Sequence, residues 1–326
     1  MTCEYERKQP AERAVKAAAA PSRRSLSASG RQRSGQQQKE FGNYLLFSRI
    51  NMRIKNISFW IVIISFLTGC STMKKTYEKE KKELLELNKS CEIKVFSEEL
   101  VKDLPEQIKK YLSVCGYMNT PVPINADVHW SESYIKLKPE KEWGELQTTQ
   151  FNSVNPVARI SFMRFLSMPV HARDIYRNGY GEMNGKLFNL FKVVFDNSKE
   201  TAQSVLGTTF CEFLVIPGYI LSANVEWESL SENSVRATLT DNEFVISGIF
   251  HFDEEGLFRH FETNDRNYYV GKNDYKKVKF SVFIDSYKNQ GDIQIAERVK
   301  VMWHFPEGDF EYFKGVIDKM EFNVFE

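Results

Sequence analysis

Several side chains in this sequence are of a type, and in a setting, that could do acid–base or nucleophilic chemistry. Glu212 ends an apolar helical stretch, Phe210-Cys211-Glu212-Phe213-Leu214. A carboxylate there either pairs with a cation, such as Arg236, or lines a pocket, because buried acids are rare unless paired. In Trp303-His304-Phe305-Pro306-Glu307-Gly308-Asp309 a histidine and two carboxylates stand within six residues, and His304 with Glu307 or Asp309 could share a proton. The same Glu-Gly-Asp run suits a turn, since Asp accepts backbone N–H bonds. A hydrolase would need Glu212 to converge on His304 or Asp309. Cys211 lacks a neighbouring histidine and reads as a small core residue.

Other catalytic and ligating patterns are missing. The sequence has no G-x-S-x-G, H-E-x-x-H, Walker A or G-x-G-x-x-G motif. Its five histidines, His129, His171, His251, His260 and His304, are scattered, with none at ligand spacing, and no C-x-x-C pair occurs. Asp253-Glu254-Glu255-Gly256 fits a hairpin loop, and a calcium site would need more oxygen ligands. No metal and no cofactor is expected.

Cys70 carries a different chemistry. From Met52 a short basic start, Met-Arg-Ile-Lys-Asn, precedes an apolar run from Ile57 to Leu67 and then Thr68-Gly69-Cys70. That is the pattern of a secretory signal peptide, and Leu-Thr-Gly-Cys resembles the bacterial lipobox, whose cysteine is lipidated and becomes the first mature residue. The run is about half the ~20 residues that span a bilayer, and Ser71-Thr72-Met73-Lys74-Lys75 ends it abruptly. Acyl chains on Cys70, each contributing about 0.8 kcal/mol per buried methylene, would hold the chain on a membrane almost permanently. Ser71, rather than Asp, after the cysteine points to the outer membrane, and the lack of an acidic cluster directly after Cys70 points to its periplasmic face.

This boundary divides the chain. Residues 1–51, rich in Arg, Ser, Gln and Ala, have little to bury and read as an upstream extension; 52–69 read as signal peptide, 70–91 as lipidated cysteine and charged tether, and 92–326 as one globular domain. Of 44 basic and 43 acidic residues, 12 and 4 fall before Cys70, leaving 32 against 39 and a net charge of −7. An acidic mature chain has no electrostatic reason to bind nucleic acid. With Cys70 lipidated, three cysteines remain, so a core rather than disulfides must stabilise the fold.

The elements that position these residues follow from periodicity. Residues 74–88 are Glu/Lys-rich and read as a solvated tether, helical through i,i+4 pairs. Leu104, Ile108, Tyr111 and Leu112 share one helical face behind Pro105, and a second helix covers 198–214 before Pro217-Gly218. Aromatic and β-branched runs predict strands over 124–137, 144–151, 157–164, 174–180 and 182–194. After the second helix, strands follow at 225–230, 234–240, 244–252, 257–263, 278–287, 294–304 and 312–322. The fold class is α+β, one strongly curved antiparallel sheet with two packed helices.

The C-terminal half resembles a bacterial family of unknown function. The matching stretches are Ser234-Val235-Arg236-Ala237-Thr238-Leu239-Thr240-Asp241, Phe250-His251-Phe252-Asp253-Glu254-Glu255-Gly256 and Trp303-His304-Phe305-Pro306-Glu307-Gly308-Asp309-Phe310. The family's pattern is similar to that of the Lol-type lipoprotein-sorting carriers, whose incomplete barrel encloses an apolar cavity. The resemblance implies a non-catalytic binder of a lipid or acylated ligand, and the lipobox-like Cys70 adds the membrane tether. The 25 Phe, 14 Tyr and 5 Trp would fill a plain core or line such a cavity, with Phe191, Phe195, Phe213, Trp227 and Trp303 as the candidate lining. A hydrolase and an assembly partner of the envelope are the alternatives, and the sequence leaves the oligomeric state open.

Overall fold

The computed structural model describes residues 72–271 and 274–326, so Cys70 and the predicted signal peptide lie outside the described residues. Three short α-helices and one longer helix accompany the strands: α1 Thr72–Asn88, α2 Glu98–Val101, α3 Glu106–Val114 and α4 Lys199–Cys211. The first six strands are β1 Asn125–Ile135, β2 Gly144–Ser153, β3 Ala158–Phe165, β4 Val170–Arg177, β5 Tyr180–Leu187 and β6 Phe191–Asp196. After α4 come β7 Val225–Ser231, β8 Ser234–Asp241, β9 Phe244–Phe252, β10 Phe258–Thr263, β11 Asn267–Gly271, β12 Asp274–Lys277, β13 Lys279–Gln290, β14 Ile293–Phe305 and β15 Gly308–Phe322.

Thirteen strands form one antiparallel sheet in the order β6-β5-β4-β3-β2-β1-β15-β14-β13-β10-β9-β8-β7, with β11 and β12 as a separate hairpin. The α+β class with a single curved, unclosed antiparallel sheet matches the sequence-based expectation. Two meanders join through β1 and β15, whose register runs Ala126↔Phe322 to Ile135↔Phe313.

Alternation decides which face each strand buries. In β9, Phe244, Ile246, Phe250 and Phe252 point inward while Val245 and Ser247 alternate with them. The inward face packs on α3 and α4, forming a core that includes Phe210, Phe213, Tyr219, Phe250 and Phe261. Ser198 caps α4 by accepting from the Thr201 N–H at 3.2 Å. At Gly181 a Cβ would lie 2.3 Å from Ala202 Cα, so the glycine lets α4 rest on β5.

Two sequence expectations change. The strand predicted over 182–194 is two strands, because Phe188 and Asn189 adopt positive φ (52° and 55°) and Phe188 N–H bonds to Pro169 O at 2.7 Å. The segment 74–88 is packed rather than solvated. Met73, Tyr77, Leu84 and Leu85 of α1 are buried against Phe151, Ala158, Ile160, Phe162 and Ile175, forming a second core on the outer face of β2–β4. Glu80 and Glu83 bind Arg173 and Arg177, each at 3.0 Å, and Lys81 binds Asp127. The buried Asn88 donates to Ser153 Oγ at 2.9 Å and Asn155 O at 3.0 Å, and accepts from Asn125. The charge run masked a narrow apolar stripe.

Candidate functional site

Glu212 is the C-cap of α4, where the helix dipole disfavours a negative charge. The fold offsets this with Arg159 on β3, not with Arg236. Arg159 Nε donates to Glu212 Oε1 at 2.9 Å, its Nη1 donates to both Asp174 oxygens at 3.0 and 3.1 Å, and its Nη2 donates to Gln150 Oε1 at 3.2 Å. Asn152 and Gln150 donate to the other Glu212 oxygen at 2.7 and 3.1 Å. Burial alone would lower the Arg159 pKa, but the Glu212 and Asp174 carboxylates hold it above its ordinary value. Both Glu212 oxygens are therefore occupied in a closed network that ties α4 to β2, β3 and β4. Arg236 instead pairs with Glu228 at 2.7 Å on the surface, because it lies on the far meander, in β8.

His304 and Asp309 are cross-strand neighbours in β14 and β15. His304 Nδ1 lies 2.7 Å from Asp309 Oδ1, and Nε2 lies 2.9 Å from Ser281 Oγ. This is the hydrogen-bond order of a Ser–His–Asp triad. Two facts oppose a catalytic reading. Ser281 is completely buried, and its strand β13 is laddered on both sides, to β10 and β14, so the strand's own backbone N–H groups are taken up by the sheet. Glu212 shares no hydrogen bond with this group, so the predicted Glu212–His304–Asp309 convergence does not form. Glu307 is exposed in the turn between β14 and β15. Burial pushes the Cys211 thiol well up, and the Cys115 thiol up to about 12, which makes both poor nucleophiles.

The five predicted lining residues do not meet in one cavity. Phe213 is buried and stacks on Tyr219 at 4.5 Å, and Trp303 packs edge-on to Phe280 at 5.1 Å. Trp227 donates to Ile220 O at 3.1 Å. All three serve the core. A surface cleft of about 580 Å³, lined by residues including Cys91, Leu100, Pro123 and Leu221, contains none of the five. Nor does a smaller one of about 250 Å³ beside Arg236.

Phe191 and Phe195 lie on edge strand β6 and are 64% and 46% exposed. They belong to an apolar rim. The β3–β4 turn presents Leu166 and Met168, and the β5–β6 turn presents Phe188 and Leu190, all exposed. The Phe188–Pro169 bond holds these two turns together. The orientation of α1 relates this rim to the start of the helix. Its last residue, Asn88, is bound at the β2–β3 turn, while Tyr77 packs on Phe162 near the other end of β3. The start of α1 therefore lies toward the rim. Lys192 is exposed there, with its ammonium 4.3 Å over the Phe195 ring. An aromatic strand beside a helix reads as interior from sequence alone, yet Phe191 and Phe195 are exposed.

Comparison with known families places a match over residues 94–315, from just before α2 into β15. The chain belongs to DUF6544, a family of unknown function. No curated protein matches it. Solved structures similar to this DUF6544 chain include a DUF1329 family protein from Desulfovibrio piger (9% identity, TM-score 0.36, 68% of this chain and 95% of that one). An outer membrane lipoprotein-sorting protein domain from Vibrio parahaemolyticus aligns at 11% identity and TM-score 0.39, over 69% and 92% of the two chains. A LolA superfamily protein from Nitrosomonas europaea aligns at 9% and 0.36, over 67% and 94%. The DUF6544 match begins after α1, so the docked helix lies outside the matched region while the sheet residues it covers, Phe151 to Ile175, lie within it.

Proposed function

We propose that this DUF6544 protein is a lipoprotein of the bacterial cell envelope, held by lipid on Cys70. We further propose that it binds lipid or another hydrophobic ligand, without catalysis, at its exposed apolar rim. The observation that carries the reading is the rim itself: Leu166, Met168, Leu190, Phe191 and Phe195 left open on two joined turns and an edge strand, at the end where α1 begins. Monomeric proteins rarely leave such groups contiguous unless something covers them. Each is about half exposed, so covering four of them would contribute roughly 3–6 kcal/mol at about 1.5–3 kcal/mol per fully buried side chain. Only Ser71 separates Cys70 from α1 in the sequence, so an acyl anchor would keep the rim close to the bilayer. Ser71 favours the outer membrane, and the lack of an acidic cluster after Cys70 favours its periplasmic face.

Two measurements test this. Wild-type cells fed labelled palmitate should yield a labelled, membrane-bound chain, and Cys70→Ser should give an unlabelled product that is soluble or unprocessed. A Cys70→Ser chain that is correctly processed and still membrane-bound would remove the anchor. In a second experiment, membranes containing a photoactivatable diacyl lipid are irradiated. The lipid should label the peptide carrying residues 188–195, and Phe191→Ser with Phe195→Ser should cut that labelling about tenfold while leaving stability nearly unchanged, as surface substitutions do. Equal labelling in the variant would remove lipid from the rim, and cross-linking to a protein in its place would make the chain an assembly partner.

A further inference from the structure

We infer that His251, His260 and Glu262 form a binding site for a divalent first-row transition metal, with Zn²⁺ as its best probe. In the sequence the histidines stand nine residues apart, but the β9–β10 hairpin makes them direct cross-strand partners, and Glu262 follows His260 by two residues on the same face. The three ligand atoms lie within 4.8 Å of one another. His251 Nε2 is 3.6 Å from Glu262 Oε1 and His260 Nε2 is 4.0 Å from Oε2. Two ligands held at about 2.1 Å by a tetrahedral zinc stand roughly 3.4 Å apart, so little movement is needed.

A second observation points to an ion. Both Nε2 atoms are buried, and neither has a hydrogen-bond partner among the described residues; 3.6 Å is too long for one. Buried polar atoms are nearly always satisfied, and an orphan in a native fold calls for a partner, an ordered water or an ion. Two orphans facing one carboxylate share a single explanation. The rings are also held in place: His260 stacks on Phe283 at 4.4 Å and on His251 at 5.0 Å. Lys279 donates to Glu262 Oε2 at 2.6 Å, which leaves Oε1 facing His251 and orients the carboxylate, as outer partners of metal ligands do. Two imidazoles and one carboxylate select zinc and its transition neighbours over calcium or magnesium. Three protein ligands leave a fourth position for water.

The inference does not depend on the anchor or on the rim. It is tested by calorimetric titration of ZnCl₂ into the metal-stripped full-length chain in detergent. One zinc should bind per chain. His251→Gln and His260→Gln, which fill the same space, and Glu262→Gln should each weaken binding at least about tenfold, on the scale of altered metal sites. A cobalt-loaded chain should show tetrahedral d–d absorption that His260→Gln abolishes. His129→Ala, in the other His–carboxylate group with Asp127 and Glu321, and Cys91→Ser should leave the affinity unchanged. Absence of a one-to-one binding event would overturn the site. So would unchanged affinity in both histidine variants, or loss only in His129→Ala or Cys91→Ser.

Discussion

Arg159→Ala should lower the unfolding free energy by about 3–5 kcal/mol, the usual cost of removing one partner from a buried ion pair. The guanidinium is the single cation among two carboxylates and an amide: Glu212, Asp174 and Gln150. Without it, Glu212 and Asp174 remain buried and unpaired, and Glu212 also faces the negative end of α4. A loss of that size is a large share of the ~5–15 kcal/mol typical of a whole protein. It should move the thermal midpoint down by roughly 6–20 °C, at about 2–4 °C per kcal/mol for a chain of this size. Arg159→Lys should fall between wild type and Ala, since an ammonium keeps the charge but cannot fork to three partners. Urea or thermal unfolding reads both. A midpoint for Arg159→Ala equal to wild type would mean that the network contributes nothing net.

This network shows what the sequence could and could not reveal. Glu212 was legible as a paired acid, because a carboxylate inside Phe-Cys-Glu-Phe-Leu has few other fates. Its partner was not. Arg236 and Arg159 both sit on strands, and choosing between them requires knowing which meander lies beneath α4, a matter of tertiary register. The strands themselves were largely legible, since period-2 alternation and short polar turns depend on local pattern alone. So was the His304–Asp309 pairing, because a tight turn between two strands forces cross-strand contact. The His251–His260 pair was equally accessible in principle, through the predicted hairpin, but spacing rules built for helices and loops pass over it.

Aromatic residues misled for a related reason. Phe213 and Phe191 look alike in sequence, yet one is fully buried against Tyr219 and the other is open on an edge strand. An apolar side chain carries no mark of whether its cover is the protein's own core or something else. The pattern in β6, where Val193, Val194 and Phe195 are all exposed, breaks the alternation expected of a strand with one buried face. That break is readable only once the strand is known to be an edge.

Leu84→Asp should undock α1 and expose it to protease, with cleavage at Lys79, Lys81 or Lys82 accelerated about a hundredfold or more. Leu84 is fully buried in the outer core with Tyr77, Phe151 and Ile160. Losing its packing costs about 2–5 kcal/mol, and a buried, unpaired aspartate adds to that. A 17-residue helix is marginal alone in water, so undocked α1 unravels, and cleavage tracks the population of that open state. Because about 1.4 kcal/mol is tenfold in population, a docking loss near 3 kcal/mol gives the hundredfold. Limited trypsin digestion decides the matter: a solvated tether would be cut equally fast in wild type and variant, whereas a docked helix is cut slowly in wild type only. The consequence reaches the anchor. If Cys70 carries the proposed lipid, only Ser71 separates it from α1 in the sequence, and a docked α1 would hold the rim near the membrane surface. With α1 undocked, about twenty residues become a flexible leash, so lipid labelling of 188–195 should fall in Leu84→Asp even though every rim side chain is intact.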